Sequence, residues 1–397
     1  MIDKQDAVRI IVQETNQMKI ENRDIVSCLG KVLAEDIYSR DNLPNFDKSA
    51  MDGYAIRSSD SERKLFKIKG IIRAGDTNKY ELKSGETYKI MTGAALPFGA
   101  DAVIEKEKVH VENGCIFIEN NVKKYNNTIK YGEEIRKGDL ALERGTAIRP
   151  AEIGFMASLG YSSVNIYGSP KIAILLTGDE LVDIESSLTH GKIRNSNGYS
   201  LKAMIDNVSA VAISYGIIPD DKKIIKFKIE DALKRADIVI ISGGASAGDY
   251  DFVEDVLEEI GAHVKFSGVA VKPGKPVTFA EYHNKLIFSL PGNPLSLINS
   301  FEEFVKPAIY KMMGRGSQNH SEFPVILRDD FHGKIGREKN IYVKIVKHGE
   351  KYYAFQTGSQ CSNTLYTLTR SNGVVIVPKD YGSVKAGSVL NGKFIFR

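Results

Sequence analysis

The chain of 397 residues carries 54 Lys and Arg against 50 Asp and Glu, a formal net charge of +4, and is 42% hydrophobic and 26% charged. That is the balance of a folded protein with room for roughly two to four domains, and the interspersed signs without a basic tail argue against nucleic-acid or membrane-surface binding. Cys28, Cys115 and Cys361 stand far apart without a Cys-x-x-Cys pair, and the seven histidines lack helical ligand spacing, which argues against a disulfide framework, a zinc ribbon or a histidine metal centre.

The first residues, Met1-Ile2-Asp3-Lys4-Gln5-Asp6, are charged where a signal peptide is apolar, and no apolar run approaches the roughly 20 residues of a spanning helix, so a cytoplasmic protein is expected. Residues 3 to 18 predict a helix capped by Asp3, with Ala7, Val8, Ile11, Val12 and Thr15 on one face. A second helical stretch is expected over 27–35, with Leu29, Val32 and Leu33 on its inner side. Residues 47–55 form an irregular polar segment of the kind that more often turns a chain than carries chemistry.

From 54 to 148 short alternating segments predict a small β module, its clearest signal being Lys108–Glu112, the turn Asn113-Gly114, and Cys115–Ile118. Between about 170 and 318 the pattern alternates. The apolar runs 171–176, 210–214 and 238–241 read as buried strands, and 199–208, 221–236, 252–261 and 294–313 carry helical periodicity. This is the signature of a doubly wound α/β domain with a mainly parallel sheet, whose ligands sit beyond the carboxyl ends of the strands. Asn293, Pro294 and Gly314 suit the cap, first position and stop of the last helix, and Pro307 should kink it. The tail, from about 320 to 397, returns to β alternation and reads as a barrel-like module.

Four loops fall within or beside the α/β region: 177–180, 242–251, 272–276 and 291–294. Gly243, Gly244, Ser246 and Gly248 offer backbone amides and a hydroxyl for a phosphate, with Asp249 and Asp251 near enough to meet a divalent cation. Lys272 and Lys275 flank a Pro-Gly turn and are held by Pro273 and Pro276, which presents two ammonium groups on a stiffened backbone. Asp179 and Glu180 end the first strand, where they suit a ribose hydroxyl, a pterin amino group or a metal. Together these loops predict a site for a phosphate-bearing polyanion.

The same loops, with Leu43-Pro44-x-Phe46-Asp47-x-Ser49-Ala50-Met51-Asp52-Gly53-Tyr54-Ala55, Ile90-Met91-Thr92-Gly93-Ala94, Gly99-Ala100-Asp101-Ala102-Val103, Gly132-Glu133-Glu134-Ile135 and Ala157-Ser158-Leu159-Gly160, resemble the molybdopterin molybdenumtransferases, the MoeA-type enzymes, whose relatives include the gephyrin E domain. The resemblance runs nearly end to end. It implies an N-terminal linker and dimerisation domain over 1–53 and 139–169, and a small β domain over 54–138. It further implies an α/β molybdopterin-binding domain related to adenylyltransferases over 170–318, and a C-terminal β-barrel domain over 319–397. The implied activity inserts molybdate into adenylylated molybdopterin with release of AMP, assisted by magnesium.

On that resemblance Asp52, Thr92, Glu180 and Asp237 are the expected catalytic residues. Gly243, Gly244, Ser246, Gly248, Asp251, Lys272, Lys275, Pro276, Pro291, Gly292 and Asn293 are expected to bind the pterin substrate. Molybdate is expected on Lys272, Lys275, Arg337 and Ser362, and the metal on Glu180, Asp249 and Asp251. The implied partners are a second copy of the chain, a molybdopterin adenylyltransferase and recipient molybdoenzymes. Glu134, Cys361, Tyr366 and Thr367 depart from the family's common residues, which leaves molybdate and tungstate unseparated. An adenylyltransferase-like enzyme and a gephyrin-like scaffold without catalysis remain the alternatives at this point.

Overall fold

The apolar runs 171–176 and 238–241 become the centre of a six-stranded sheet in the computed structural model, which describes residues 1–243, 252–316 and 322–395, whereas 210–214, expected to be buried, opens its edge strand and stays partly exposed because only one neighbour pairs with it. Its strands lie in the order Val211–Ile218, Lys171–Thr177, Ile238–Ser242, Lys285–Leu290, Thr278–Tyr282 and His263–Ser267. The first four are parallel and the last two antiparallel. Each central strand feeds both faces because successive side chains alternate. Ile172, Ile174, Ile238 and Ile240 pack with Leu201, Ile205, Leu297 and Phe304 on one side. Ala173, Leu175, Val239 and Ile241 pack with Ile225, Ile229, Val253 and Leu257 on the other. Helices therefore cover both faces, as the continuous apolar runs require.

Three helix expectations change. The first helix is Lys4–Glu14, shorter than expected, because Thr15 is already extended and turns its hydroxyl back on the carbonyl of Ile11. Asp3 makes no side-chain cap, since its carboxylate is taken by Lys379 at 2.9 Å. Residues 27–35 do not form a helix: Ile25–Cys28 make a 3-10 turn, Leu29 is exposed, and Val32 and Leu33 bridge to Ala147 and Ile166. The expected long last helix is Pro294–Ser300 and Lys306–Met312 joined by a π turn, Phe301–Val305. Pro307 lacks an N–H to donate into the ladder, and the wider turn absorbs that defect.

The tail closes into a barrel of five strands, Glu338–His348, Lys351–Gln356, Phe323–Leu327, Val389–Phe394 and Gly373–Val377, the last pairing back to the first. Val325, Leu327, Ile341, Val343, Ile345 and Val375 fill it. The short strand Val271–Lys272 runs parallel to the start of Glu338–His348 and joins the barrel to the α/β layer.

These elements belong to one compact unit, Met1–Glu35, Gly145–Ile153 and Ser163–Arg397. A second unit, Asp36–Arg144 with Gly154–Ser162, holds a sheet of six strands ordered Ala102–Glu105, Gly53–Ile56, Glu86–Ile90, Leu65–Ile72, Cys115–Ile118 and Val109–Glu112. The expected hairpin is its edge, with Asn113 and Gly114 both at positive φ, 49° and 75°. Among the described residues no helix is long and apolar enough to cross a membrane.

Candidate active site

In the larger unit a cavity of about 520 Å³ opens where the α/β layer meets the barrel. Lys272, Lys275, Pro276, Pro291, Asn293, Arg337 and Ser362 all line it. The fold thus brings the four molybdate candidates, from three distant segments, to one cavity. The Lys272–Lys275 turn is anchored from beneath: Asn299 donates to the carbonyl of Pro273 at 2.9 Å and accepts from Asn340 and Tyr342 of the barrel strand at 2.8 and 3.0 Å. Asn340 also donates to Glu303, which receives Lys393 at 2.8 Å and Lys4 at 3.3 Å, and Lys4 reaches Glu338. Burial pushes the Glu303 carboxyl up, but Lys393 and Lys4 overcome it and hold the group at about 2. A rigid ionic joint therefore fixes the two walls of the cavity.

Lys339, Asn340, Gln360, His332 and Cys361 also line this cavity and were not singled out as oxyanion ligands from the sequence. For Lys339 a signal existed. The inward alternation of Ile341, Val343 and Ile345 extends back to 339, so a lysine stands where the barrel pattern asks for an apolar residue. Of the other departures, Thr367 is buried and donates to the carbonyl of Ser359 at 2.7 Å, while Tyr366 is exposed, so neither faces the cavity.

At the carboxyl edge of the sheet, Gly243 follows the strand Ile238–Ser242 with φ 103°, and a Cβ there would stand 2.1 Å from the carbonyl oxygen of Thr177. Only glycine lets these two strand ends approach so closely. Asn197 ties the same edge together, donating to Ser242 at 3.1 Å and to the carbonyl of Gly292 at 2.7 Å. Glu180 is exposed in the turn after Lys171–Thr177. Beside it Asp179 and Asp220 exchange backbone-to-carboxylate hydrogen bonds of 3.3 Å. Burial, with the charges of Asp179 and Glu180, raises the Asp220 carboxyl above its usual range. Asp220 was missed because a Pro-Asp-Asp run before a helix reads as a cap, which Asp221 indeed provides.

Gly244, Ser246, Gly248, Asp249 and Asp251 lie outside the described residues. Asp237 is not brought to this edge. It precedes the strand Ile238–Ser242 at the opposite end of the parallel sheet, exchanging hydrogen bonds of 2.8 Å with the backbone of Lys171, which suits a role in aligning strand starts. Among the described residues no group of three or more His, Cys, Asp or Glu side chains is arranged to hold a metal.

In the smaller unit Asp52 and Thr92 meet directly. The backbone N–H and hydroxyl of Thr92 donate to one Asp52 oxygen at 2.9 and 2.8 Å, and Lys106 approaches the other at 3.7 Å. Just after Asp52, Gly53 lets the strand Gly53–Ile56 pack closely on Ala102–Glu105, since a Cβ there would lie 2.0 Å from the carbonyl oxygen of Ile104. Hydrogen bonds from Thr92, then the charge of Lys106, lower the Asp52 carboxyl below its usual range. A second, polar hollow of about 430 Å³ in this unit is lined by Lys130, Glu133, Glu134, Arg136 and Asp139.

Comparison with known proteins bears on all three segments. Residues 2–160 match the MoeA N-terminal region (domain I and II), 173–311 a probable molybdopterin binding domain, and 324–391 the MoeA C-terminal region (domain IV). A molybdopterin molybdenumtransferase of Haemophilus influenzae is 34% identical over 376 residues, covering 93% of this chain and 92% of the relative. The chain belongs to the molybdopterin molybdenumtransferase family. Another member, from Staphylococcus epidermidis, is 32% identical over 98% of this chain and 94% of its own length. The crystal structure of the molybdopterin biosynthesis moeA protein from Pyrococcus horikoshii OT3 superposes with a TM-score of 0.84 at 29% identity, covering 99% of this chain and 100% of that one. Both walls of the 520 Å³ cavity fall within the second and third matched regions.

Proposed function

We propose that this chain inserts molybdate into adenylylated molybdopterin with release of AMP, and that the cavity at the junction of α/β layer and barrel receives the oxyanion. The observation that carries this reading is the convergence of Lys272, Lys275, Arg337 and Ser362 on one cavity within a molybdopterin molybdenumtransferase architecture. A tetrahedral dianion needs fixed cations and hydroxyl donors, and these four supply both. Lys272 and Lys275, set on a braced turn, bind the anion without first losing the freedom of loose side chains.

The sheet edge at Gly243, Asn197 and Gly292 is the proposed seat of the pterin phosphate, and Gly244, Ser246 and Gly248 are proposed from the sequence to bind it as well. Magnesium is proposed there because Glu180 and Asp220 are oxygen donors of the type it takes, and Asp220, raised first by burial and then by the charges of Asp179 and Glu180, would gain from a cation beside it. Asp249 and Asp251 are proposed to join them. A bound magnesium ion supplies charge neutralisation for breaking the phosphoanhydride. Asp52, kept ionised by Thr92, is proposed as the carboxylate that orients the reacting groups. We further propose a cytoplasmic homodimer, a reading supported by the family resemblance.

The deciding experiment is AMP release from adenylylated molybdopterin by the purified protein with magnesium, with and without molybdate, beside Lys275→Ala. Molybdate-dependent release that the variant loses supports the transferase reading. Binding without release under any oxyanion or metal overturns it in favour of a carrier or scaffold, and consumption of ATP without added adenylate overturns it in favour of an adenylyltransferase.

A further inference from the structure

We propose that Lys339 is a fourth cation of the oxyanion cavity, a buried ammonium without a counter-ion until the anion arrives. The inference rests on the oxyanion reading of that cavity and deepens it. Lys339 lies at the mouth of the barrel, in register with Lys272 on the parallel strand, and both side chains line the cavity. It is 3% exposed, yet no described carboxylate pairs with it. Its ammonium donates one hydrogen bond, 2.6 Å to the carbonyl of Tyr381, and two N–H groups have no partner among the described residues.

A buried lysine normally has an anionic partner, because an isolated charge out of water is strongly disfavoured. Against that single hydrogen bond, burial first and then the charges of Lys272 and Arg337 push its pKa down. The other charged or titratable groups lining the cavity are Lys275, His332 and Cys361, and no carboxylate is among its lining residues. Glu338, next in the chain, alternates to the other face and pairs with Lys4. The space for the stem is also built in. A Cβ at Gly333 would lie 2.9 Å from Cε of Lys339, so glycine there leaves the lysine its channel. A tetrahedral dianion in the cavity would supply the missing acceptors and the missing charge together.

Calorimetric titration of the full chain with tungstate and with molybdate tests this, using Lys339→Met, Lys339→Arg, Lys275→Ala, Arg337→Ala and the exposed strand control Lys347→Met. Lys339→Met should weaken both oxyanions at least about tenfold, the arginine variant should restore part of the loss, and Lys347→Met should leave affinity unchanged. Thermal melts separate binding from folding: without oxyanion Lys339→Met should melt at or above the wild-type temperature, since a lone buried charge is removed, and the rise on adding tungstate should shrink. If Lys275→Ala and Arg337→Ala lose affinity while Lys339→Met does not, Lys339 is only a plug in the barrel mouth and the inference fails. If none of the three changes affinity, the oxyanion binds elsewhere and the reading of the cavity fails with it.

Discussion

Thr92 donates both its backbone N–H and its hydroxyl to a single oxygen of Asp52, at 2.9 and 2.8 Å. The pair stabilises the ionised carboxylate more than its acid, so Asp52 is charged well into the acidic range. Asp52→Asn should cut AMP release by about 100-fold or more, the range of a positioned acid or base, with little change in melting temperature at so exposed a site. Thr92→Val keeps the N–H and loses the hydroxyl, which raises the Asp52 pKa. The acid limb of its pH–rate profile should therefore move to higher pH. A profile that stays put in Thr92→Val would assign the pair to loop shape alone.

Gly243 offers a test of the sheet edge that does not depend on the substrate. With φ at 103° and a Cβ only 2.1 Å from the Thr177 carbonyl, Gly243→Ala must push apart the ends of two central strands. The expected loss is on the order of 2–4 kcal/mol, measured by urea unfolding. Gly292→Ala is the matched control, because its Cβ would meet nothing nearer than 3.7 Å. Equal stability of the two variants would mean that the strand ends yield and that the glycine serves the ligand instead.

The architecture was legible where burial writes a period into the sequence. The runs 171–176 and 238–241 are apolar on consecutive residues because both faces of that sheet are covered, and they read directly as central strands. Leu29 misled, since it joins Val32 and Leu33 in a helical pattern while the chain turns at Gly30 and pairs as extended backbone instead. Of the oxyanion candidates, Lys272 and Lys275 were legible as charged residues on a stiff loop and Arg337 and Ser362 only through the family resemblance, and their convergence is a product of the tertiary fold. Lys272 and Arg337 stand far apart in sequence and line one cavity only because the strand Val271–Lys272 docks on the barrel. Asp237 shows the converse: expected in the site from the family resemblance, it precedes the strand Ile238–Ser242 and bonds the backbone of Lys171 at the other end of the sheet, a placement that only the strand direction reveals.

Asp220 carries the prediction for magnesium. Its carboxyl is raised by burial and by Asp179 and Glu180, so the folded protein holds more protons than the unfolded chain above the usual carboxylate range, and stability falls as pH climbs through that window. Asp220→Asn should therefore melt slightly higher than wild type at neutral pH without added metal. A cation that binds only the folded state raises the melting temperature, and that rise should be smaller in the variant. Magnesium titrations followed by thermal melts check both signs; an equal magnesium response in the two proteins would remove Asp220 from the metal site.

Glu303 gives the opposite pH dependence. It is fully buried between Lys4 of the first helix and Lys393 of the barrel, and those cations hold it at about 2 against the upward push of burial. A depressed carboxyl stabilises the fold above its unfolded pKa, and that contribution is lost as pH falls through the folded value. The window runs from about 4.5 down to about 2 and is worth on the order of 3 kcal/mol. Urea midpoints recorded from pH 7 to about 2.5 should show a steep acid limb in the wild type. Glu303→Gln should lower the neutral-pH midpoint, because Lys4 and Lys393 lose the charge that offsets their burial, and should flatten the acid limb. Since Asn340 and Asn299 link this joint to the turn of Lys272 and Lys275, the same variant should weaken oxyanion binding at neutral pH even where it is fully folded. Parallel acid limbs in variant and wild type would show that Glu303 does not carry the acid sensitivity of the fold.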